Sequence, residues 1–279
     1  TFSLKYYFIF KIENNKISII TVVKNGMPFL KTSIKSFRMQ TYINKELIIV
    51  FAPSQDGTEE YLNTINDKNI IVKKDIISKT KFGSINLGIG LSSGKYFGLL
   101  HADDVFYDEN TLKYISNAFK ENINCVYGNV LFANKNNLKS INRVWKSKKF
   151  KKNNLKYGWM PPHTSLFLEK NFYSNENKMY NELYPISGDY YFILKILNDS
   201  KINTSFIDKY ITIMRDGGDS TKLVNILQKF REDLKIAKLF YNGYFICIIF
   251  KIIQKIFQIK IVNEKITSDY LSNLEKELN

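Results

Sequence analysis

The chain has 279 residues and a formal net charge of +15, and 15% of its residues are aromatic. This length allows one large domain or one domain with an appendage, and the aromatic content excludes a globally disordered chain. The charge would suit nucleic acid or an anionic membrane, but the lysines are spread along the whole chain without an arginine-rich stripe or a nucleic-acid-binding motif, so no nucleic-acid partner is expected.

Cysteine usage and the start of the chain bear on location. Cys125 and Cys247 lie far apart in apolar surroundings and are predicted to be buried thiols, which suits a reducing cytosol. The apolar start, residues 1–10, is too short for a spanning helix and lacks a cleavage-site pattern, so it is not predicted to be a signal peptide.

Strand and helix patterns alternate through the first 120 residues. Runs of β-branched and apolar residues predict strands at 16–23, 46–51, 70–73 and 96–100. Helices are predicted at 29–40, from 59 onward, through 86–92 and at 111–120. This alternation predicts an α/β fold with a mostly parallel central sheet, flanking helices and ligand-binding loops along one edge.

The second half of the chain is less regular. Further elements are predicted as strands at 125–132 and 210–215, a helix at 189–197, and helices from 223 to the end. The basic stretch 145–156 is predicted to be an exposed or mobile loop. We therefore expect an α/β domain over residues 1–221 and a C-terminal helical extension over 222–279.

Two adjacent carboxylates, Asp103 and Asp104, follow the predicted strand at 96–100. Acids at the C-terminal end of a buried strand lie where open α/β sheets bind ligands. Their hard oxygen ligands suit a divalent cation that holds a diphosphate. The alternative is that the pair caps the helix predicted to begin at about Glu109.

Eight short motifs occur along the chain in a fixed order. They are 19–26 (IITVVKNG), 40–42 (QTY), 54–58 (SQDGT), 86–88 (NLG) with 93–94 (SG), 101–104 (HADD), 161–163 (PPH), 187–190 (SGDY) and 215–218 (RDGG). In this order and spacing they resemble bacterial family 2 glycosyltransferases of the GT-A fold, from about residue 16 to 221. The later motifs are most similar to the subgroup that builds capsule, exopolysaccharide and O-antigen repeat units.

The resemblance implies an inverting enzyme that moves a sugar from a nucleotide diphosphate, expected to be a UDP-sugar, to a glycan or polyprenyl-diphosphate-linked acceptor. It implies a Mn²⁺ or Mg²⁺ ion that neutralises the leaving diphosphate, with Asp103 as ligand and Asp104 beside it. It also implies Asp189 as the base that takes the proton of the acceptor hydroxyl. The alternative role for Asp189 is to cap the helix that it begins.

The remaining site assignments also come from the resemblance. Nucleotide contacts are expected from Thr21, Val23, Lys24, Asn25, Phe51, Ser54, Asp56, Asn86, His101 and Ala102. Contacts to the diphosphate, the sugar or the acceptor are expected from Trp159, His163, Gly188, Arg215 and Gly217. Each position also has a structural interpretation, such as a strand end, a turn with a helix cap at 54–58, a core aromatic at Trp159 or a hairpin turn at Arg215.

Two positions depart from the family pattern. His101 stands where the family usually has the first acid of its metal motif, and Phe51-Ala52-Pro53 replaces the acids that usually read the base. Two other functions stay open, and the departures favour the second of them. One is a nucleotidyltransferase, which the lack of a Gly-rich, Arg/Lys-bearing loop after the first strand disfavours. The other is a basic module for membrane or nucleic acid with a decayed active site.

The stretch 244–262 is nearly all apolar. Its polar residues recur at three- and four-residue spacing, at Lys251, Gln254, Lys255 and Gln258. On a helix they form one polar stripe, and two central lysines argue against a membrane-spanning helix. We expect the helix to lie in an anionic bilayer interface with its lysines at the headgroups. The resemblance implies that this is the inner face of the cytoplasmic membrane, where the subgroup's polyprenyl-linked acceptors lie. The alternative is packing on the catalytic domain.

Overall fold

A mixed sheet forms the centre of the molecule in the computed structural model, which describes residues 15–173, 180–217, 223–258, 260–266 and 268–277. The apolar start at 1–10 and Gly218 of the last motif lie outside these ranges. The described strands are β1 (Ile17–Val23), β2 (Lys45–Phe51), β3 (Ile70–Lys74), β4 (Tyr96–Leu99), β5 (Val105–Phe106), β6 (Cys125–Asn134), β7 (Asn137–Trp145), β8 (Phe167–Glu169), β9 (Thr204–Arg215) and β10 (Lys260–Lys265).

Helices cover the sheet. They are α1 (Phe29–Arg38), α2 (Thr58–Asn63), α3 (Lys81–Leu91), α4 (Thr111–Ala118), α5 (Lys152–Leu155), α6 (Lys170–Tyr173), α7 (Gly188–Asn198), α8 (Leu223–Phe240), α9 (Tyr244–Gln258) and α10 (Asp269–Glu275). Neighbouring residues of β1 point to opposite faces of the sheet. Ile19 packs in an apolar cluster with α1 and α4, whereas Ile20 packs in another with α3 and α7. The sheet is therefore buried on both faces, which explains why its central strands are continuous apolar runs.

The first half of the sheet is parallel, in the order β4-β1-β2-β3. This half agrees with the strand and helix alternation predicted from the sequence. Because the strands are parallel and in register, the loops after β1, β2 and β4 meet at one edge, where ligands bind in open sheets of this kind.

The second half of the sheet is largely antiparallel. Strand β8 lies between β4 and β6, β7 pairs with β6, and β9 pairs with β6 and β5. Strand β10 pairs with β7 at the outer edge. Two of these strands differ from the predictions, since β7 was not predicted and β10 lies in a stretch predicted to be helical. The basic stretch 145–156 also contains the short helix α5.

The two cysteines are buried and free, as predicted. No helix among the described residues is long and apolar enough to cross a membrane. The boundary expected at residue 221 stays a prediction. The segment after it supplies β10 to the sheet, while α10 packs on α1 and β7.

The orientation predicted for the helix at 244–262, here α9, is wrong for Lys251. Its ammonium group lies 2.8 Å from the Asp233 carboxylate of α8 and 3.2 Å from the centroid of the Tyr190 ring, and its side chain is 14% exposed. Gln254 donates to the Tyr157 carbonyl oxygen (2.6 Å). Both residues therefore face the protein, because Lys251 has partners on α8 and α7 and Gln254 has one just after α5. The side chains of Lys255 and Gln258 lie outside the described part.

Candidate active site

The loops that follow β1 and β2 are fastened to each other by side chains of the 54–58 motif. The backbone N–H of Asn25 donates to Ser54 Oγ (3.0 Å), and that of Gly26 donates to Thr58 Oγ1 (2.9 Å). Asp56 accepts from the N–H of Met27 (2.8 Å) and from the Thr58 hydroxyl (2.6 Å). Burial alone would raise the pKa of Asp56, but these hydrogen bonds hold it below its ordinary value. Lys24 and Asn25 are exposed at this edge.

Three residues assigned to nucleotide contacts have side chains in the core. Thr21 is buried and donates to the Leu100 carbonyl oxygen (2.7 Å), and Val23 packs in the apolar cluster under α1. Phe51 is 4% exposed in the same cluster. The nucleotide contact expected from Phe51 is not supported for its side chain, because the ring is covered. The backbone at Val23 is tied to the next loop, since its carbonyl oxygen accepts from the Ala52 N–H (2.9 Å).

The acidic pair lies in a tight turn after β4, in which the Asp104 N–H donates to the His101 carbonyl oxygen (3.1 Å). The pair does not cap a helix, because β5 follows it and α4 begins only at Thr111 with Asn110 at its N-cap. Ligand atoms of His101, Asp103 and Asp104 lie within 4.8 Å of one another. The turn thus presents three metal-type ligands at the predicted edge.

Asp104 is 1% exposed, and only one of its oxygens is well bonded. Oδ1 accepts from the Arg215 backbone N–H (3.2 Å). Oδ2 has no hydrogen-bond partner among the described residues and lies 3.7 Å from His101 Nδ1. Burial and the Asp103 charge raise the pKa of Asp104 well above its usual range. A buried, unpartnered carboxylate oxygen beside a second acid fits a divalent cation, which would supply the missing counter-charge.

Arg215 lies behind the acids and is buried. Its guanidinium group donates to the Lys135 carbonyl oxygen (2.7 Å) and stacks over the Phe29 ring, 4.7 Å from the centroid. In this position it supports the turn, so its contact with a diphosphate stays a prediction. Gly217, two residues later, has φ +101, a backbone angle that favours glycine.

His163 lies on the other side of the same edge. Its Nε2 is 2.7 Å from Tyr180 Oη, and its ring centroid is 6.4 Å from that of His101. Burial lowers the pKa of His163 to about 4, although the Asp189 charge opposes this change, so the imidazole is neutral at pH 7. His163 is therefore suited to hydrogen bonding with a sugar or an acceptor and not to charge pairing with a diphosphate.

Asn86 holds Tyr180 in place. Its side-chain amide donates to the Tyr180 carbonyl oxygen (2.9 Å) and accepts from the Tyr180 N–H (3.0 Å) and the Tyr173 hydroxyl (2.6 Å). The Tyr180 ring in turn stacks on Phe192, with centroids 3.9 Å apart. Asn86 was expected to contact nucleotide, but its amide is occupied by these bonds. Tyr180 lies outside the motifs, which is why the sequence did not single it out.

Asp189 lies in the first turn of α7, where its Oδ1 accepts from the Tyr190 N–H (2.8 Å). Burial would raise the pKa of Asp189, but the positive charges of His163 (when protonated), Lys229 and Lys81 lower it below its ordinary value. The carboxylate is thus ionised at neutral pH and able to take a proton. It lies within electrostatic reach of both His101 and His163.

The start of α7 is shaped by two features that the sequence did not fully reveal. A Cβ atom on Gly188 would lie 2.6 Å from the Phe82 ring, so this glycine is required for close packing. Glu232 of α8, which is buried, accepts from the N–H groups of Ile186 (3.0 Å) and Ser187 (2.8 Å). Ser187, the N-cap residue, makes no side-chain capping bond of its own. The acid that holds this loop therefore comes from a distant helix, and no local motif points to it.

Trp159 is the site residue that the structure places furthest from its expected role. It is 1% exposed, and its ring packs at 6.1 Å from Tyr127 and 6.0 Å from Phe150, centroid to centroid. The sugar or acceptor contact expected from Trp159 is not supported, because its side chain is almost wholly buried in the core. Ala102, in contrast, lies at the edge beside Gly26. A Cβ atom added to Gly26 would lie 3.6 Å from the Cβ of Ala102.

The sheet, with its ligand loops along one edge, has the arrangement that the motifs predicted for a GT-A fold. The chain belongs to glycosyl transferase family 2, whose family model matches residues 18–172, more than half of the chain. This membership confirms the family that the motifs indicated.

Relatives and solved structures agree with this assignment. WfgD of Escherichia coli, a UDP-Glc:α-D-GlcNAc-diphosphoundecaprenol β-1,3-glucosyltransferase, is 28% identical over 127 residues, which are 46% of this chain and 50% of WfgD. A glycosyltransferase of Haemophilus influenzae is 27% identical over 63% of this chain and 58% of its own length. The chain thus spans about half the length of the curated relatives that it matches.

Structural likeness extends over most of the chain. S. aureus TarS 1–349 in complex with UDP-GlcNAc has a TM-score of 0.63 at 15% identity, covering 94% of this chain and 71% of TarS 1–349. The mannosyltransferase PcManGT from Pyrobaculum calidifontis, solved with GDP-Man and Mn²⁺, has a TM-score of 0.54 at 11% identity, with 84% and 70% covered. At these identities the likeness shows the fold alone, and it confirms the predicted α/β, GT-A architecture.

Proposed function

We propose that this glycosyltransferase is inverting and metal-dependent, and that it moves a sugar from a UDP-sugar to a lipid-linked or glycan acceptor in bacterial surface polysaccharide synthesis. One observation carries the proposal. An ionised carboxylate, Asp189, and a cluster of metal-type ligands, His101, Asp103 and Asp104, lie at the same edge of the sheet and within electrostatic reach.

Inversion needs a base beside the attacking oxygen, since an acceptor hydroxyl is a poor nucleophile at neutral pH. Asp189 suits this role because its charge is retained at neutral pH and its second oxygen is not used by the Tyr190 bond. The first turn of α7 fixes the carboxylate, and Glu232 fixes the residues just before that turn. Direct displacement with this base gives the opposite anomeric configuration in the product.

The metal would be held by Asp103 with Asp104 and His101. When bound, Mn²⁺ or Mg²⁺ supplies charge neutralisation for the leaving diphosphate. Lys81, at the start of α3, is a further positive charge that acts on Asp189 and both histidines. It was not singled out in the sequence and suits a contact to the same diphosphate. The edge also presents Lys24 and Asn25, which are exposed and suit polar contacts to the nucleotide.

The donor and acceptor are inferred from the relatives. WfgD and WfaP of E. coli are each named for UDP-Glc and GlcNAc-diphosphoundecaprenol, and this chain is proposed to use donors and acceptors of the same chemical class. An acceptor with a polyprenyl tail lies in a membrane. We therefore propose a peripheral location at the inner face of the cytoplasmic membrane.

A donor and acceptor screen tests the proposal. The full chain is incubated with UDP-Glc, UDP-GlcNAc, UDP-Gal and GDP-Man, with Mn²⁺, Mg²⁺ or EDTA, and with a short-chain GlcNAc-diphosphate lipid. The expected result is transfer from one UDP-sugar, which EDTA abolishes. The anomeric proton coupling of the product should show a configuration opposite to that of the donor. Product with retained configuration, or equal transfer in EDTA, would contradict the mechanism. Transfer only from GDP-Man would contradict the donor class.

A further inference from the structure

The outward side of α9 is apolar in the part of the helix whose side chains the structure describes. Seven side chains that are 39% to 65% exposed form it, and we call them the apolar face: Phe245, Ile246, Ile249, Phe250, Ile252, Ile253 and Ile256. Soluble monomers rarely expose contiguous apolar side chains on this scale unless the surface binds something.

The inward side of α9 fixes this orientation. Cys247 and Ile248 are buried in the main apolar cluster, and Lys251 is held by Asp233 and by the ring of Tyr190. Rotating the helix to hide the apolar face would expose that cluster and leave Asp233 without its cation. The exposure is therefore a consequence of how the helix is bonded and not of a loosely attached segment.

A lysine-rich stretch borders the apolar face. We call residues 146–156 the basic segment; it carries six exposed lysines, at 146, 148, 149, 151, 152 and 156. Tyr157 follows directly and joins the two surfaces, because its ring lies edge-on to Phe250 with centroids 5.5 Å apart and its carbonyl oxygen accepts from Gln254. The basic segment therefore leads directly into the apolar face at Tyr157.

We propose that the apolar face and the basic segment together dock on an anionic lipid bilayer, with α9 lying along the interface and its isoleucines and phenylalanines inserted. An interfacial helix needs an apolar face to bury and cations beside it for the headgroups, and this surface has both. The electrostatic partner is the basic segment and not Lys251, in contrast to the stripe predicted from the sequence.

The charge also argues against a second copy of this chain as the occupant. A two-fold interface places the same patch on both subunits. Pairing the apolar face with itself would bring two basic segments close together, and their like charges would repel. An anionic bilayer neutralises the same lysines.

Docking on this side has a direct relation to the site. Helix α8 carries Glu232, which holds the loop before Asp189, and α9 carries Lys251, which lies on the ring of Tyr190. The surface that meets the bilayer is therefore bonded to the turn that carries the candidate base. The inference rests on the proposed function in one respect, namely that a lipid-linked acceptor lies in the same membrane.

Vesicle flotation of the full chain, with no sugar present, tests the docking. Two vesicle types are used, phosphatidylcholine alone and phosphatidylcholine with phosphatidylglycerol. The variant Ile249→Asp with Ile256→Asp should lose flotation. Reversing three lysines, at Lys148, Lys149 and Lys151, to Glu should weaken binding to the anionic vesicles by about tenfold or more. Circular dichroism and Tm confirm that each variant is folded, as expected for exposed positions.

A matched variant controls for net charge. Lys68→Glu, Lys113→Glu and Lys120→Glu makes the same charge change at exposed positions elsewhere and should float like the parent chain. Equal flotation of the parent and the Ile→Asp variant, or no flotation with either vesicle type, overturns the inference. The inference is also overturned if light scattering shows a stable dimer that Ile249→Asp disrupts, while the parent chain does not bind vesicles. A chain that floats but transfers no sugar in the donor screen leaves the docking standing and contradicts the proposed function instead.

Discussion

Replacing Asp189 with Asn separates the two roles that this carboxylate can have. As a first-turn residue, Asp189 accepts one hydrogen bond from the Tyr190 N–H and adds a favourable charge at the N-terminus of α7. Asn retains an oxygen for that bond and loses the charge, so the expected loss of stability is about 0.3–1 kcal/mol. As the catalytic base, Asp189 takes the acceptor proton, which Asn is unable to do. The expected loss is then about 10²–10⁴-fold in kcat, which is about 3–5 kcal/mol of barrier.

The measurements are kcat for sugar transfer and calorimetric binding of the UDP-sugar. We expect Asp189→Asn to lose turnover, retain donor affinity and lower Tm only slightly. Asp108→Asn is a matched control, since Asp108 also accepts a backbone N–H at a helix start, from Asn110 (2.9 Å), and is not among the residues assigned to the site. It should keep turnover close to that of the parent. If Asp189→Asn also transfers sugar at nearly the parent rate, the base assignment is refuted.

Three further results are expected. Asp103→Asn should abolish Mn²⁺-dependent donor binding in calorimetry while the fold is kept, and unchanged metal-dependent binding would show that Asp103 is not a ligand. Glu232→Ala leaves the N–H groups of Ile186 and Ser187 without their acceptor, so we expect the free energy of unfolding to fall by about 1–3 kcal/mol in chemical denaturation and kcat to fall as well. Glu232→Gln should restore most of the stability and most of the kcat. An Ala variant with unchanged stability and kcat would contradict the capping role. His163 has a pKa of about 4 in place of 6.5, so the unfolded chain binds more protons between these values and stability falls as pH drops from 6.5 to 4. His163→Gln should flatten that part of the stability profile, and an unchanged slope would contradict the burial argument.

The parts of the fold that could be predicted are those in which the local pattern of apolar residues agrees with the burial of the same residues in the structure. Strands β1, β2 and β4 are apolar runs buried on both faces, and Asp103 with Asp104 ends such a run, so strand, edge and acids followed from the sequence. The motif 54–58 was also recognisable, although its side chains prove to fasten two loops together. Strand β10 was missed because its identity depends on pairing with β7, far earlier in the chain. Strand β7 forms a hairpin with its neighbour β6, but most of its side chains are only partly buried, so no apolar run marks it.

Side-chain roles that depend on distant contacts were not predictable. Periodicity shows that Lys251 lies on a polar stripe, but it does not show that Asp233 and Tyr190 cover that stripe and turn the apolar side outward. The sequence around Trp159 does not show whether its side chain lines a cleft or fills a core. Glu232 is an ordinary acid on a helix until α8 is placed beside α7. In each case the missing information is which element packs against which.

The position of β10 has a consequence for synthesis on the ribosome. Its partner residues on β7 precede it by roughly 120 residues, as in the pair Arg143 and Ile261. At about 5–20 residues per second, the outer edge of β7 remains unpaired for about 6–24 s after it has emerged. An open strand edge is a site for pairing with other chains. Strand β10 therefore covers the β7 edge only late in synthesis and becomes the outer strand in its place, and a chain cut at residue 221 would leave the β7 edge open.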